Sequence, residues 1–246
     1  MTKITAIIPT FNEDTNIQRA LDSVLFADEI IVIDSYSTDL TLDIVKKRPD
    51  VTIIQRVFDD FSTQKNYAIQ LAQHDWIFLL DADEEVPLCL RDEILKTVAN
   101  AKKDAYVIGR NFYFKKQRIR FGGFQRGKVT RLFLKQKSIY KGKVHEKLIV
   151  TGDVGLLKHK LNHYSFKNYK HYKSKLKTYA ELQALELLEE QQRITLFHTR
   201  VKPIARFCIH YVFRLGVLDG IPGIIMAYLH SWGVYRRYIE LQKLRR

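Results

Sequence analysis

The N-terminal hundred residues alternate short apolar runs with segments of helical periodicity, and this alternation limits the folds open to the chain. The apolar runs are rich in β-branched residues, which is typical of buried parallel strands, and cover residues 4–9, 29–34, 51–55 and 76–80. The segments with helical spacing cover residues 15–26, 38–47, 62–73 and 88–101. This order predicts an α/β fold with a doubly wound, Rossmann-like sheet whose ligand site lies beyond the carboxyl ends of the strands.

Polar and acidic residues follow the predicted strands at that edge. Asn12 and Glu13 follow the first strand, Asp34 ends the second, and Asp81 and Asp83 follow the fourth. Alternation along an extended chain points Asp81 and Asp83 to the same side, and buried carboxylates need a neutralising partner. Their oxygens suit Mg²⁺ or Mn²⁺ completed by water and phosphate. The pattern therefore predicts a divalent cation that stabilises a departing diphosphate, with helix capping by the same acids as the alternative.

Charge is divided unevenly along the chain. Residues 1–97 carry a formal charge of −9 and the remainder carries +23, within a total of +14. Such asymmetry predicts that the basic half faces a polyanion, which can be nucleic acid, an anionic lipid surface or an anionic glycolipid. Two cysteines, Cys89 and Cys208, lie far apart without metal-type spacing, which favours free thiols in a reducing compartment.

The C-terminal part mixes apolar and basic side chains in a helical pattern. Residues 207–234 are rich in apolar residues but are interrupted by Arg214, Asp219 and Pro222. This favours helices that lie on an anionic membrane surface over a membrane span. The alternative is that these helices pack on the rest of the chain or on a second subunit of a homodimer.

Three segments of the first half occur in a characteristic order: Ile7-Ile8-Pro9-Thr10-Phe11-Asn12-Glu13, Asp34-Ser35-Tyr36-Ser37-Thr38-Asp39 and Asp81-Ala82-Asp83. In order and spacing they resemble the inverting family 2 glycosyltransferases of GT-A fold. The resemblance implies a mixed sheet with a nucleotide-sugar donor site. It implies that the nucleotide pocket is lined by Pro9, Thr10, Asn12, Glu13 and Asp34, with Asp34 contacting the base.

The same resemblance assigns residues near the donor phosphates. Gln64-Lys65-Asn66 resembles a segment whose basic or amide group approaches the donor, which implies that Lys65 and Asn66 bind it. In the Asp-x-Asp segment, Asp81 and Ala82 are expected beside the donor, and Asp81 and Asp83 are expected to bind the metal.

Two further residues are assigned from the second half. His163 resembles a histidine that reaches the metal or the diphosphate; the alternative is a structural histidine. Arg131 is predicted to bind phosphate or an anionic acceptor, because its planar guanidinium matches such oxyanions. The alternative for Arg131 is a solvated strand arginine.

An inverting transfer needs a base that removes the proton of the acceptor hydroxyl. Glu146 is the predicted base, because it follows a turn-like segment and forms, with His145, a pair that resembles a His-Glu step of the family. Asp153 is the second candidate for this base. The alternative for Glu146 is a surface glutamate paired with one of the many lysines.

Motifs of the second half narrow the resemblance to bacterial enzymes that glycosylate the lipopolysaccharide core or similar envelope glycans: Gly122-Gly123-Phe124, Arg131-Leu132-Phe133, Val144-His145-Glu146 and His163-Tyr164-Ser165. The resemblance implies transfer of a single sugar from a nucleotide diphosphate sugar, expected to be a UDP-linked hexose or N-acetylhexosamine, to such a glycolipid or oligosaccharide. It implies a GT-A catalytic domain over residues 1–165. The apolar and basic pattern of the C-terminal part predicts a membrane-associated helical region over residues 166–246.

The expected location is the cytoplasmic face of the inner membrane. Two alternatives remain from the sequence. A basic nucleic-acid-binding protein would explain the positive charge but not the acidic N-terminal half. A nucleotidyltransferase of related fold would need a Gly-rich basic phosphate loop after the first strand, and residues 9–14 contain neither glycine nor lysine.

Overall fold

The computed structural model divides into two compact units. The residues that it describes are 2–114, 117–124, 127–142, 146–166 and 169–245. The first unit consists of Met1–Arg110 and Gly127–His163, and the second of Asn111–Arg126 and Tyr164–Arg246. The boundary between residues 165 and 166 that the sequence suggests stays a prediction.

Four parallel strands form the centre of the first unit, in the spatial order β3-β2-β1-β4. They are β1 (Ile4–Thr10), β2 (Glu29–Asp34), β3 (Val51–Gln55) and β4 (Trp76–Leu79). Thr10 is the register partner of Asp34, and Asp34 is the partner of Gln55. The carboxyl ends of β1, β2 and β3 therefore lie side by side, as the sequence predicts.

The sheet continues in the order β4-β8-β6-β11-β5, with β7 paired to β6. The pairings of β8 with β4 and β6, of β7 with β6 and of β5 with β11 are antiparallel. The added strands are β5 (Glu84–Glu85), β6 (Ala105–Phe114), β7 (Gln117–Ile119), β8 (Lys128–Leu134) and β11 (Val154–Phe166). A separate antiparallel pair is formed by β9 (Ser138–Lys141) and β10 (Lys147–Val150). The predicted mixed sheet is thus confirmed.

Helices cover both faces of the central strands. They are α1 (Ile17–Ser23), α2 (Thr41–Lys46), α3 (Phe61–Leu71) and α4 (Leu88–Ala99). Side chains of β1 alternate between two buried clusters, with Ala6 and Ile8 in one and Ile7 in the other. Because both faces of the sheet are covered, its central strands read as continuous apolar runs rather than as an alternating pattern.

The second unit is mainly helical. Its helices are α5 (Tyr169–Glu189), α6 (Lys202–Cys208) and α7 (Ile221–Leu244), and π-helical turns at Phe197–Val201 and Ile209–Phe213 flank α6. Ser231 of α7 donates a hydrogen bond to the carbonyl oxygen of Pro203 of α6 at 2.7 Å. Over the part of the chain that the structure describes, none of the helices has the length and apolar character needed to cross a bilayer.

A half-buried histidine of α7 makes this unit sensitive to acid. The ring of His230 packs edge-on against Phe124, with 4.8 Å between ring centres. Its Nε2 is hydrogen-bonded to the hydroxyl of Tyr172 at 2.7 Å. Burial lowers the pKa of His230 to about 3, and nearby His210 acts in the same direction. The folded protein therefore holds His230 neutral.

We expect the free energy of unfolding to fall as the pH drops from about 6.5 towards 3, because unfolded His230 then binds a proton that the folded state excludes. In His230→Gln this contribution is missing, so the loss of stability between pH 7 and pH 4.5 is expected to shrink by about 2 kcal/mol. Urea unfolding of both proteins at a series of pH values measures the difference. Identical pH dependence in the two proteins would contradict this account of His230.

Candidate active site

Hydrogen bonds join the loops that follow β1 and β2 and shape the predicted nucleotide pocket. The carboxylate of buried Asp34 accepts hydrogen bonds from the backbone N–H of Ser37 at 2.9 Å and from its hydroxyl at 2.5 Å. The same hydroxyl oxygen accepts from the backbone N–H of Asn12 at 2.9 Å, and Asn12 Oδ1 accepts from the N–H of Thr38 at 2.8 Å. Asn12 has a left-handed φ of 55°, which asparagine adopts more readily than most residues. The two loops thus hold each other in shape.

The other predicted pocket residues lie at the same edge. The backbone N–H of Glu13 donates to Thr41 Oγ1 at 2.8 Å, and its carboxylate accepts from Asn16 Nδ2 at 2.8 Å. Pro9 and Thr10 end β1. The hydroxyl of Thr10 is buried and has no hydrogen-bond partner among the described residues. A buried polar group without a partner costs about 1–3 kcal/mol, so a ligand group that bonds to this hydroxyl would be favoured.

Beyond β4, one arginine joins two carboxylates. Nη2 of Arg131 on β8 contacts Asp81 and lies 2.8 Å from Glu84 Oε2. Burial acts to raise the pKa of Asp81, but attraction to Arg131 and Lys65 outweighs it and holds that pKa below its usual range. For fully buried Glu84 the cost of burial dominates, and its pKa is raised. Arg131 is therefore committed to this ion triad and is not the solvated strand arginine that the sequence left open.

Asp83 and His163 form a second pair next to the triad. His163 on β11 is the register partner of Glu84 on β5, and this brings its Nε2 to 3.3 Å from Asp83 Oδ1. In an octahedral shell with bonds of about 2.1 Å, neighbouring ligand atoms lie about 3 Å apart, so this separation suits two ligands of one cation. A carboxylate together with an imidazole suits Mn²⁺ better than Mg²⁺.

No group of three or more potential metal ligands occurs within the described ranges. A cation held by Asp83 and His163 would therefore complete its shell with water and phosphate oxygens, as Mg²⁺ sites commonly do. Asp81, the other predicted ligand, contacts Arg131. The assignment of Asp81, Asp83 and His163 as metal ligands stays a prediction.

A cavity of about 420 Å³ in the first unit lies against Asp81 and Arg131. In its wall the predicted base Glu146 meets Lys65, with 2.7 Å between Oε1 and Nζ. Their side chains are only 20% and 8% exposed, respectively. The ammonium of Lys65 also lies 5.1 Å from the centre of the Tyr140 ring. The structure therefore brings Lys65, Glu146 and Asp81 to one cavity.

Three predicted residues have other surroundings. Both groups of the Asn66 amide are bonded to the backbone of Tyr140, each at 2.9 Å, and so tie α3 to β9. Asp153 is 72% exposed, pairs with Lys103 at 2.8 Å and does not line the cavity. His145 lies outside the described residues.

Sequence reasoning did not single out Glu84 or Arg110. Glu84 was one acid in a run of four, and its partner Arg131 lies far along the chain, so no local pattern marked it. Arg110 lies 3.9 Å from Glu84 and lines the cavity. Ala82, predicted beside the donor, is buried in the apolar core.

We expect Arg131→Met to lower the free energy of unfolding by about 3–5 kcal/mol. The substitution leaves the buried carboxylate of Glu84 without its principal ion partner. Arg91→Met is the matched control, since Arg91 pairs with Asp92 at an exposed site on α4 where such a loss costs about 1 kcal/mol or less. Denaturant unfolding measures both values. Equal effects of the two substitutions would show that the triad does not stabilise the fold.

The family model described as Glycosyl transferase family 2 matches residues 5–165, a range that includes every side chain of the site described above. The chain belongs to this family. Its membership confirms the predicted resemblance and favours a glycosyltransferase over the nucleic-acid-binding protein and the nucleotidyltransferase.

Relatives of similar length agree with this assignment. An uncharacterized glycosyltransferase of Rickettsia conorii is 30% identical over 262 residues, covering 99% of this chain and 90% of the relative. The lipopolysaccharide core biosynthesis glycosyltransferase LpsC of Rhizobium meliloti is 24% identical over 257 residues, covering 96% of this chain and 93% of LpsC.

Solved structures support the fold. The crystal structure of S. aureus TarS 1–349 in complex with UDP-GlcNAc matches with a TM-score of 0.53 at 15% identity, covering 99% of this chain and 92% of that one. The predicted GT-A type fold with a helical C-terminal region is confirmed.

Proposed function

We propose that this glycosyltransferase inverts the anomeric centre and moves one sugar per encounter from a nucleotide diphosphate sugar, with a divalent cation, Mg²⁺ or Mn²⁺. The observation that carries the proposal is the separation of 3.3 Å between Asp83 and His163. Asp83 lies two residues along the chain from Asp81, and both Asp81 and Glu146 line the cavity. A phosphate-binding cation and a base would therefore belong to one site.

On the donor side, we assign binding of the nucleotide to the loops that follow β1 and β2. The network of Asp34, Ser37 and Asn12 fixes the shape of this pocket. Asp34 uses its carboxylate to hold Ser37, and a carboxylate has about four lone-pair positions, so it can also accept a hydrogen bond from the base. Thr10 offers a buried hydroxyl.

Asp83 and His163 would hold the cation, which when bound neutralises the diphosphate and makes it a better leaving group. Asp81 is kept ionised by Arg131. We therefore propose that Arg131 acts as a positioning residue for Asp81 rather than as a ligand of the donor phosphates.

On the acceptor side, Glu146 is the proposed base. Its Oε1 is held by the ammonium of Lys65 at 2.7 Å, which leaves Oε2 to take the proton of the acceptor hydroxyl. Deprotonation allows that oxygen to attack the anomeric carbon from the face opposite the diphosphate, which inverts the centre. Lys65 orients the carboxylate but also reduces its basicity, so the pair has to loosen as the proton is transferred.

We propose a UDP-linked hexose or N-acetylhexosamine as donor and a lipopolysaccharide core or related envelope glycan as acceptor. The donor proposal has the support of the pocket after β1 and β2, and TarS offers a parallel in its complex with UDP-GlcNAc. The acceptor proposal has the support of the similarity to LpsC. Such a glycolipid would be reached from the cytoplasmic face of the inner membrane, where we place the protein.

Thermal unfolding with a panel of nucleotide sugars tests donor and cation together. With Mn²⁺ present and ligand at about 100 times its Kd, stabilisation of about 2.7 kcal/mol is expected. For a chain of this size that corresponds to a rise in Tm of roughly 5–10 °C. The rise should occur with UDP sugars and disappear when EDTA removes the cation. A panel in which no nucleotide sugar changes Tm would contradict the proposed function.

A further inference from the structure

Exposed apolar side chains are concentrated in one segment of the second unit, residues 196–228. The large ones are Leu196, Phe197, Val201, Ile204, Ile209, Val212, Phe213, Leu215, Val217, Leu218, Ile221, Ile224 and Tyr228. Single exposed apolar residues are ordinary on protein surfaces. A dense run of them over consecutive helices is a sign of an interaction surface.

The spacing of these residues places them on one side of each helix. Phe197, Val201 and Ile204 follow one another at steps of four and three residues, and Ile221, Ile224 and Tyr228 repeat the pattern at the start of α7. Such steps define a stripe along a helix. The segment between the two stripes adds further exposed apolar residues. The two most exposed residues of the whole run are Phe213, at 79%, and Ile221, at 75%.

The charge around these stripes is of one sign. Residues 196–228 contain four basic residues, of which Arg200 and Arg206 are exposed. Their single acidic residue, Asp219, is buried, and its carboxylate accepts hydrogen bonds from the backbone N–H groups of Arg120 and Phe121, both at 2.9 Å. The segment therefore presents apolar side chains and cations without an exposed carboxylate.

We propose that residues 196–228 form a docking face for an anionic lipid bilayer. Apolar stripes that enter the acyl boundary and arginines that meet phosphate headgroups are the features of a helix lying in a membrane interface. A second copy of the chain fits this face less well, because a twofold interface would set two faces of the same positive charge against each other. The face acts independently of sugar transfer.

Vesicle sedimentation of the full-length protein tests this docking face. Binding is expected to vesicles of phosphatidylcholine mixed with phosphatidylglycerol and to be much weaker for pure phosphatidylcholine. The double variant Phe213→Ser and Ile221→Ser should bind the mixed vesicles about tenfold more weakly or worse. Arg200→Gln with Arg206→Gln should lose roughly 20-fold on mixed vesicles only.

Matched controls come from the first unit. Val57→Ser with Leu88→Ser removes two equally exposed apolar residues, and Lys46→Gln with Lys47→Gln removes two exposed charges; neither pair should change vesicle binding. Stabilisation by a UDP sugar with Mn²⁺ is measured for every variant. This measurement distinguishes loss of vesicle binding from loss of folding and from failure of the protein to bind the donor. Absence of vesicle binding overturns the docking face. The docking face is also overturned if the protein self-associates and the double variant Phe213→Ser with Ile221→Ser abolishes the self-association but still binds vesicles.

Discussion

Asp83→Ala is expected to lower kcat for sugar transfer by about 10³-fold or more, because a cation on a leaving diphosphate contributes several kcal/mol to the transition state. Asp83 and His163 are the two side chains proposed as direct ligands, so loss of either would leave the cation with one of them. Release of UDP from the donor identified by thermal unfolding measures the rate.

Asp92→Ala is the matched control, since Asp92 is a half-exposed acid on α4 that pairs with Arg91. It should leave kcat unchanged. Stabilisation by Mn²⁺ with UDP should vanish in Asp83→Ala and persist in Asp92→Ala, while Tm without ligand stays close to that of the unaltered protein in both. Full turnover in Asp83→Ala would remove the metal assignment. By contrast, Asp81→Ala is expected to lower stability as well as transfer, because Arg131 loses one of its two carboxylate partners.

Glu146→Gln is expected to reduce kcat by about 10²–10⁴-fold, the usual contribution of a general base. The amide keeps the shape of the side chain and loses its basicity, so KM for the donor should change little and the loss should fall on kcat. Stabilisation by the UDP sugar with Mn²⁺ should be retained, which separates a lost base from a lost donor site.

Asp153→Asn is the matched control for the base, because Asp153 was the other carboxylate that the sequence offered. Its exposed position, paired with Lys103 and outside the cavity, predicts an unchanged kcat. The reverse pattern, with normal turnover in Glu146→Gln and loss in Asp153→Asn, would move the base to Asp153 and contradict the geometry.

The parallel part of the fold and the location of its site were predictable from the sequence because both follow from local patterns. Strands buried on both faces read as apolar runs, and the carboxyl ends of neighbouring parallel strands meet at one edge. The ends of β1 and β2 therefore brought Asn12 and Asp34 together without any knowledge of tertiary contacts. The Asp81-Ala82-Asp83 segment was found in the same way.

Contacts between distant parts of the chain were not predictable. Arg131 pairs with Asp81 and Glu84, which lie 50 and 47 positions before it in the chain. From the sequence, its planar guanidinium pointed instead to a phosphate or an anionic acceptor. The amide of Asn66 was expected at the donor, yet it clamps the backbone of Tyr140. For both residues, the partner seen in the structure lies far away in the sequence. Only the folded chain brings the two side chains together, so no local pattern could identify the partner.

The central claim is that Asp83 and His163 bind one cation together with the donor diphosphate. A crystal soaked with MnCl₂ and UDP, with data collected at the manganese absorption edge, tests it directly. The account predicts one anomalous peak in contact with Asp83, His163 and the phosphates of UDP. Bound UDP without a peak between these two side chains would contradict it.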